Sequence, residues 1–205
     1  MIPRIIVQYW NSEIIPADVK PLISSWSKFN PEFKHIVFTE EQAASFIKVK
    51  FGPEAQELFL SAALPAMQSD IFRVAFCLGN GGFYIDVATQ CLGSILSILP
   101  SDNKLALMRK WHGGIWNGMI ACKPNHPALE AIWNKILHNL RSQSSGDVWE
   151  VTGPLSFNQI NNDKIYAPNI AVIDQKDIKS FKLIGELEYR KEHWSEVQKN
   201  QSIFK

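Results

Sequence analysis

The run from Pro65 to Asp86 constrains this chain more than any other stretch. Pro65 suits the opening of a helix, because the first turn tolerates a residue with no N–H. Ile71, Val74, Ala75 and Leu78 then recur at helical spacing and predict a face turned toward a sheet. Asp70 and Arg73 are three apart and share a face of the same helix. Asn80-Gly81-Gly82 stops the helix and turns the chain. Phe83-Tyr84-Ile85 favours a strand, and Asp86 stands at its end. Ligands of open α/β sheets bind outside the carboxyl ends of the strands. One helix face and one strand end are thus expected to bring an acid, a cation and a second acid to one pocket.

The rest of the chain predicts the sheet around that run. Residues 4–10 begin with a continuous apolar stretch, as a buried parallel strand does. Pro16 precedes a helix through Leu22 and Trp26, stopped by Asn30-Pro31. Residues 33–38 form a second strand. Thr39 with Gln42 makes a capping-box pattern for the next helix, which ends near Gly52-Pro53. Pro53 opens another helix to about Ala63. Further on, residues 94–99 predict a short helix or turn, 105–108 a strand, 111–117 a Gly/Trp loop and 118–122 a strand. Pro127 opens a long amphipathic helix, Asp147 caps a short one, and residues 165–173 are extended and broken by Pro168. Residues 185–205 are expected as a surface tail or C-terminal lid. Alternating strands and helices predict an α/β fold with a mostly parallel sheet in one domain over 1–205. Gly79-Asn80-Gly81-Gly82 precedes a strand, whereas dinucleotide and P-loop glycine motifs follow one.

Composition narrows the function. Lys+Arg 21 against Asp+Glu 20 gives a net charge of +1, which offers no electrostatic footprint for nucleic acid. Cys77, Cys91 and Cys122 have no metal-type spacing and read as buried apolar residues of a reducing compartment. Met1-Ile2-Pro3-Arg4 leads directly into a strand, so no signal peptide is expected. No apolar run is long enough to span a bilayer. A cytoplasmic protein follows, with any attachment to the inner face of a membrane peripheral.

Several blocks carry a family resemblance. They are residues 2–10, the Ser25-Trp26 to Asn30-Pro31 step, Ser69-Asp70-Ile71-Phe72-Arg73, and Gly81-Gly82-Phe83-Tyr84-Ile85-Asp86. Asn117-Gly118-Met119-Ile120-Ala121, Asn125-His126-Pro127 and Thr152-Gly153-Pro154 follow in order, with an echo at His193-Trp194. Over residues 2–160 the chain resembles the sugar-binding region of the DXD glycosyltransferases of family 32. That group includes fungal initiating α-mannosyltransferases, bacterial polysaccharide transferases and glucosylating toxins. The resemblance implies a Rossmann-like GT-A fold, a nucleoside-diphosphate sugar donor, a glycan or other hydroxyl acceptor, and Mn²⁺ or Mg²⁺ held by Asp-x-Asp. It implies transfer of a hexose, usually with retention, in capsule- or lipopolysaccharide-type polysaccharide synthesis. By the same resemblance Asp86, Arg73 and Asp70 are the catalytic set. Gln8, Trp10, Asp70, Arg73, Gly82, Tyr84 and Asn117 line the donor site, with Trp10 stacked on the base. Asp86 is the metal candidate, and Thr89 or His193 would assist it.

One departure stands inside the motif. The chain reads Asp86-Val87-Ala88-Thr89, so Ala88 replaces the second carboxylate. A divalent cation wants several oxygen ligands. Three readings follow: a metal held by Asp86 through water, a metal-independent transferase, or a non-catalytic sugar-binding relic. Residue by residue, Asp70 and Arg73 also read as an exposed helix ion pair worth a few tenths of a kcal/mol, and Asp86 as a turn residue. The adjoining Gly-Gly-Phe-Tyr-Ile-Asp block favours the site. His112 reads as a loop residue, and His126 as capping or orienting the helix that Pro127 opens.

Overall fold

In this computed structural model, residues 1–100, 102–187 and 194–205 are described. Strand β1 (Ile5–Tyr9) leads through helix α1 (Lys20–Phe29) to β2 (Lys34–Phe38). Helices α2 (Glu40–Phe51), α3 (Pro53–Ser61) and α4 (Pro65–Asn80) precede β3 (Gly82–Ile85). Next come β4 (Thr89–Cys91), the 3-10 turn Ile95–Ile98, β5 (Leu105–Arg109) and β6 (Ile115–Cys122). Helices α5 (Pro127–Arg141), α6 (Val148–Val151) and α7 (Pro154–Asn162) lead to β7 (Ile170–Asp174), β8 (Phe181–Leu183) and α8 (Trp194–Val197).

The main sheet has the order β2-β1-β3-β6-β5-β7. Strand β1 is parallel to β2 and β3, and β5 is parallel to β7. Strand β6 runs against both of its neighbours, so the sheet is mostly parallel, as expected. The chain passes from β1 to β2 on one side, then returns as β3 on the other. That reversal opens a crevice at the carboxyl ends of β1 and β3, the usual ligand position in such sheets.

Apolar side chains cover both faces. Helices α2, α3, α4, α5 and α7 pack one face through Ile47, Phe59, Ile71, Ile132 and Phe157, all fully buried. The opposite face is covered by Trp26 of α1, Ile95 of the 3-10 turn, and the small β4–β8 sheet. Trp26 packs against Phe83 and Phe181, with ring centroids 5.8 and 5.7 Å away. The Thr39 capping box forms: its hydroxyl accepts from the Gln42 N–H at 3.3 Å, and the Thr39 N–H donates to Gln42 Oε1 at 3.1 Å. Gly81 ends α4 at φ 69°, and a Cβ there would lie 2.7 Å from the Pro124 nitrogen. All three cysteines are free and buried.

Some expectations are corrected. The Gly/Trp loop is shorter than predicted, because β6 starts at Ile115 rather than Gly118. The Ile115 N–H donates to Asn158 Oδ1 of α7 at 3.0 Å, and Ile115 pairs with Arg109. The β4–β8 sheet and α7 are additions that the sequence did not signal. His126 stands at the start of α5 but makes no side-chain cap bond. Among the described residues no helix is long and apolar enough to cross a membrane.

Candidate active site

Helix α4 and strand β3 meet at the carboxyl edge of the sheet and bring the three predicted charges together. Arg73 Nη2 lies 3.2 Å from Asp70 Oδ1 and 3.1 Å from Asp86 Oδ1. The helix supplies more: Arg73 Nε donates to the Ser69 carbonyl at 3.1 Å, and Nη2 to Ser69 Oγ at 2.9 Å. The guanidinium also lies 4.9 Å over the Tyr84 ring. A ring of hydrogen bonds closes the cluster. The Ser69 hydroxyl meets the Tyr84 hydroxyl at 2.8 Å, and Tyr84 donates to Asp86 Oδ1 at 2.9 Å. With Arg73 donating to Ser69 Oγ, the consistent direction has Ser69 donating to Tyr84. Arg73 is therefore not the exposed partner of a surface pair; it is 5% exposed and shared between two carboxylates.

Asp70 is held from the other side. Asn117 Nδ2 donates to Asp70 Oδ1 at 2.8 Å, and Thr152 Oγ1 to Oδ2 at 3.5 Å. Asn117 reaches Asp70 because β6 bulges there. Between two adjacent positions of β5, Leu107 and Met108, the partner residue on β6 jumps from Ile120 to Trp116. Bulges re-aim side chains beside sites, and this one also points the Gly118 carbonyl at the Asp86 N–H, 2.9 Å away. Gly118 has no room for a side chain: a Cβ would collide with Asp86 Oδ2 and the Trp116 ring. Burial pushes the Asp70 carboxyl up to about 7, against the opposing pull of Arg73 and aided by Asp86. The Arg73 guanidinium stays charged: burial opposes its charge, but Asp86, Tyr84 and Asp70 outweigh that and raise its pKa.

The backbone of Asp86 is anchored from behind. Gln8 Nε2 donates to the Asp86 carbonyl at 3.4 Å, and Thr89 Oγ1 donates to the same oxygen. Gln8 Oε1 meets His35 Nε2 at 2.9 Å, and His35 Nδ1 meets Ser27 Oγ at 2.8 Å. The Gln8 oxygen can only accept, so His35 carries its proton on Nε2 and Ser27 donates to Nδ1. Gln8 is fully buried with both ends of its amide engaged, so it supports Asp86 from within. Trp10 sits at the end of β1, donates to the Ile14 carbonyl at 2.9 Å, and packs in a cluster with Val19, Ile23 and Val87. Gly82, at φ 117°, brings β3 close to the Ile5 carbonyl. His193 lies outside the described residues, and the lid expected over 185–205 lies partly outside them.

Among the described residues, the motif's divalent cation finds a single carboxylate with a free oxygen. Asp86 Oδ1 is taken by Arg73 and Tyr84, leaving Oδ2, and Ala88 adds only a methyl group. Among the described residues no group of three His, Cys, Asp or Glu is placed to hold a metal. One free carboxylate oxygen would leave such an ion to its waters and the donor's phosphates.

Comparisons place this fold in a class. The PaToxG glycosyltransferase shares the fold with a TM-score of 0.63 at 19% identity, over 78% of this chain and 69% of its own. The UDP-bound glycosyltransferase domain of the YGT toxin gives 0.57 at 10% identity, over 89% and 83%. The fold is that of the GT-A glycosyltransferases. Within that class, residues 16–105 match the family described as the glycosyltransferase sugar-binding region containing the DXD motif, the family that the sequence blocks resemble. An uncharacterized glycosyltransferase of Acanthamoeba polyphaga mimivirus is 30% identical over 162 residues, 77% of this chain and 63% of the relative. Inositol phosphoceramide mannosyltransferase 2 of Schizosaccharomyces pombe is 25% identical over 87% of this chain and 54% of its own. The initiation-specific α-1,6-mannosyltransferase of the same yeast is 26% identical over 75% and 46%. The chain spans about half the length of these curated relatives.

Sequence reasoning assigned no role to three members of the site. Ser69 stood in a quoted block, but only the structure shows it between Arg73 and Tyr84. Thr152 likewise stood in a quoted block and proves fully buried against Asp70. Trp116 read as loop and proves to wall Asp86.

Proposed function

We propose that this chain transfers a hexose from a nucleoside-diphosphate sugar to a hydroxyl acceptor. Mannose is the first candidate sugar, and a glycan or lipid-linked head group the first candidate acceptor, by likeness to the yeast mannosyltransferases. One observation carries the reading: Asp70, Arg73 and Asp86 converge, with partly exposed Asp86, at the crevice between β1 and β3. The expected roles of Trp10 on the base, and of Asp70 and Asn117 toward donor hydroxyls, are kept as part of this proposal.

Transfer breaks the bond from the sugar's anomeric carbon to the phosphate oxygen, and the electron pair leaves with the diphosphate. On a retaining front-face path the acceptor oxygen attacks from the same side, and its proton passes to the departing phosphate. Such a path needs fixed charge and exclusion of water around an oxocarbenium-like centre rather than a protein nucleophile. The buried Arg73 pair holds Asp86 rigid for that purpose. Ala88 favours a second reading, a sugar-nucleotide-binding relic without turnover.

A thermal-shift panel of UDP-, GDP- and other nucleoside-diphosphate sugars tests the proposal. A ligand that binds only the folded state at a hundred times its Kd stabilises by about 2.7 kcal/mol. A donor that raises the melting temperature and releases nucleoside diphosphate supports transfer, and binding without release supports the relic. No shift with any donor contradicts both.

A further inference from the structure

A donor diphosphate brings two or more negative charges to a site whose own cation is already spent. Arg73 is buried between two carboxylates. The free Oδ2 of Asp86 repels a bare phosphate, yet it suits a hydroxyl, to which a carboxylate only accepts. With Ala88 in place of the motif's second carboxylate, a cation from the chain itself would offset the phosphates.

We propose that Lys110 binds the donor's diphosphate in place of a divalent cation, while Asp86 Oδ2 accepts a hydroxyl of the donor. Strands β5 and β3 run in the same direction, so Lys110, just after β5, stands at the same sheet edge as Asp86. Its backbone is fixed by the tight hairpin: its N–H donates to the Gly114 carbonyl and its carbonyl accepts from the Gly113 N–H, both at 2.9 Å. Lys110 Nζ lies 5.9 Å from the centroid of the Trp116 ring. The edge of that same ring shares with Asp86 Oδ2 the space a Cβ on Gly118 would fill. One indole thus separates a cation from the reachable carboxylate oxygen. The neighbouring Arg109 is paired with Asp174 at 3.6 Å. Among the described residues no carboxylate pairs with Lys110. A lysine is a compact, mobile point charge well suited to phosphate.

The inference rests on the nucleotide-sugar reading, and one set of titrations separates the two. UDP, GDP, uridine and guanosine are titrated calorimetrically into the wild-type chain, Lys110→Gln and Lys110→Arg, each with EDTA and with Mn²⁺. The expected result is a nucleoside diphosphate that binds equally well with either addition. Lys110→Gln is expected to weaken it about tenfold, the loss of one charge-assisted contact, and Lys110→Arg to restore most of it. Nucleoside binding should stay unchanged. Lys110 is in a hairpin loop, and an unchanged melting temperature of Lys110→Gln checks the fold. Binding that appears only with Mn²⁺, or Lys110→Gln binding like wild type, overturns the inference and leaves the donor reading intact. No nucleoside diphosphate binding under any condition overturns both.

Discussion

Asp70 shows how one buried side chain sets a pH response. Its carboxyl titrates at 3.8 when unburied and at about 7 in the fold, because burial outweighs the pull of Arg73. Between those values the folded chain holds a proton that the unfolded chain has lost. Stability from this group is complete below the lower value and is lost as pH rises through about 7. Denaturant titrations from pH 4 to 7 are expected to show a smaller decline for Asp70→Asn than for wild type; parallel curves would contradict the assignment. Gly118 offers a second test at this scale. A Cβ there collides with Asp86 Oδ2 and Trp116, so Gly118→Ala is expected to cost about 1–3 kcal/mol by overpacking and to weaken donor binding. Neither effect was legible in the sequence. Burial of Asp70 depends on Thr152 and Asn117, 82 and 47 positions away.

Secondary elements were legible where the signal is local. The Thr39–Gln42 box, the prolines at helix starts and the Gly81 stop each act within four residues, and each forms as read. The start of β6 was not, because Gly113 and Gly114 resemble a loop and the strand start is fixed by its hairpin partner Arg109 and by the distant Asn158. The bulge that aims Asn117 breaks the two-residue period on which strand reading depends. The small sheet has strands of three residues, too short for a period. Elements also cooperate behind the site, where Ser27, His35 and Gln8 link α1, β2 and β1 to the Asp86 carbonyl. Burial lowers the His35 pKa to about 4 from 6.5. Unfolded chains take up the proton first as pH falls, so the stability this group provides is lost between about 6.5 and 4. His35→Ala is expected to cost about 1–3 kcal/mol at pH 7, because Gln8 Oε1 loses its donor. It should also flatten the acid limb of the stability curve; an unaltered acid limb in denaturant titrations would contradict this.

The whole molecule places the site by topology. The chain reverses between β1 and β3, and Trp10 and Asp86 end those two strands. That convergence was legible, since spacing put Asp70 and Arg73 on one helix face and the glycine turn sent β3 back beside it. The depth of the cluster was not: on spacing alone the pair read as a surface ion pair, and only the packing of α4 against α5 and β6 encloses it. The central claim is that Asp86, positioned by Arg73 and Tyr84, acts on an activated sugar. Release of nucleoside diphosphate from the best-binding donor, compared between wild type and Asp86→Asn, tests it most directly. The account predicts a loss of about a hundredfold or more with a fall in stability of only about 1–2 kcal/mol. Unchanged release by Asp86→Asn would contradict it.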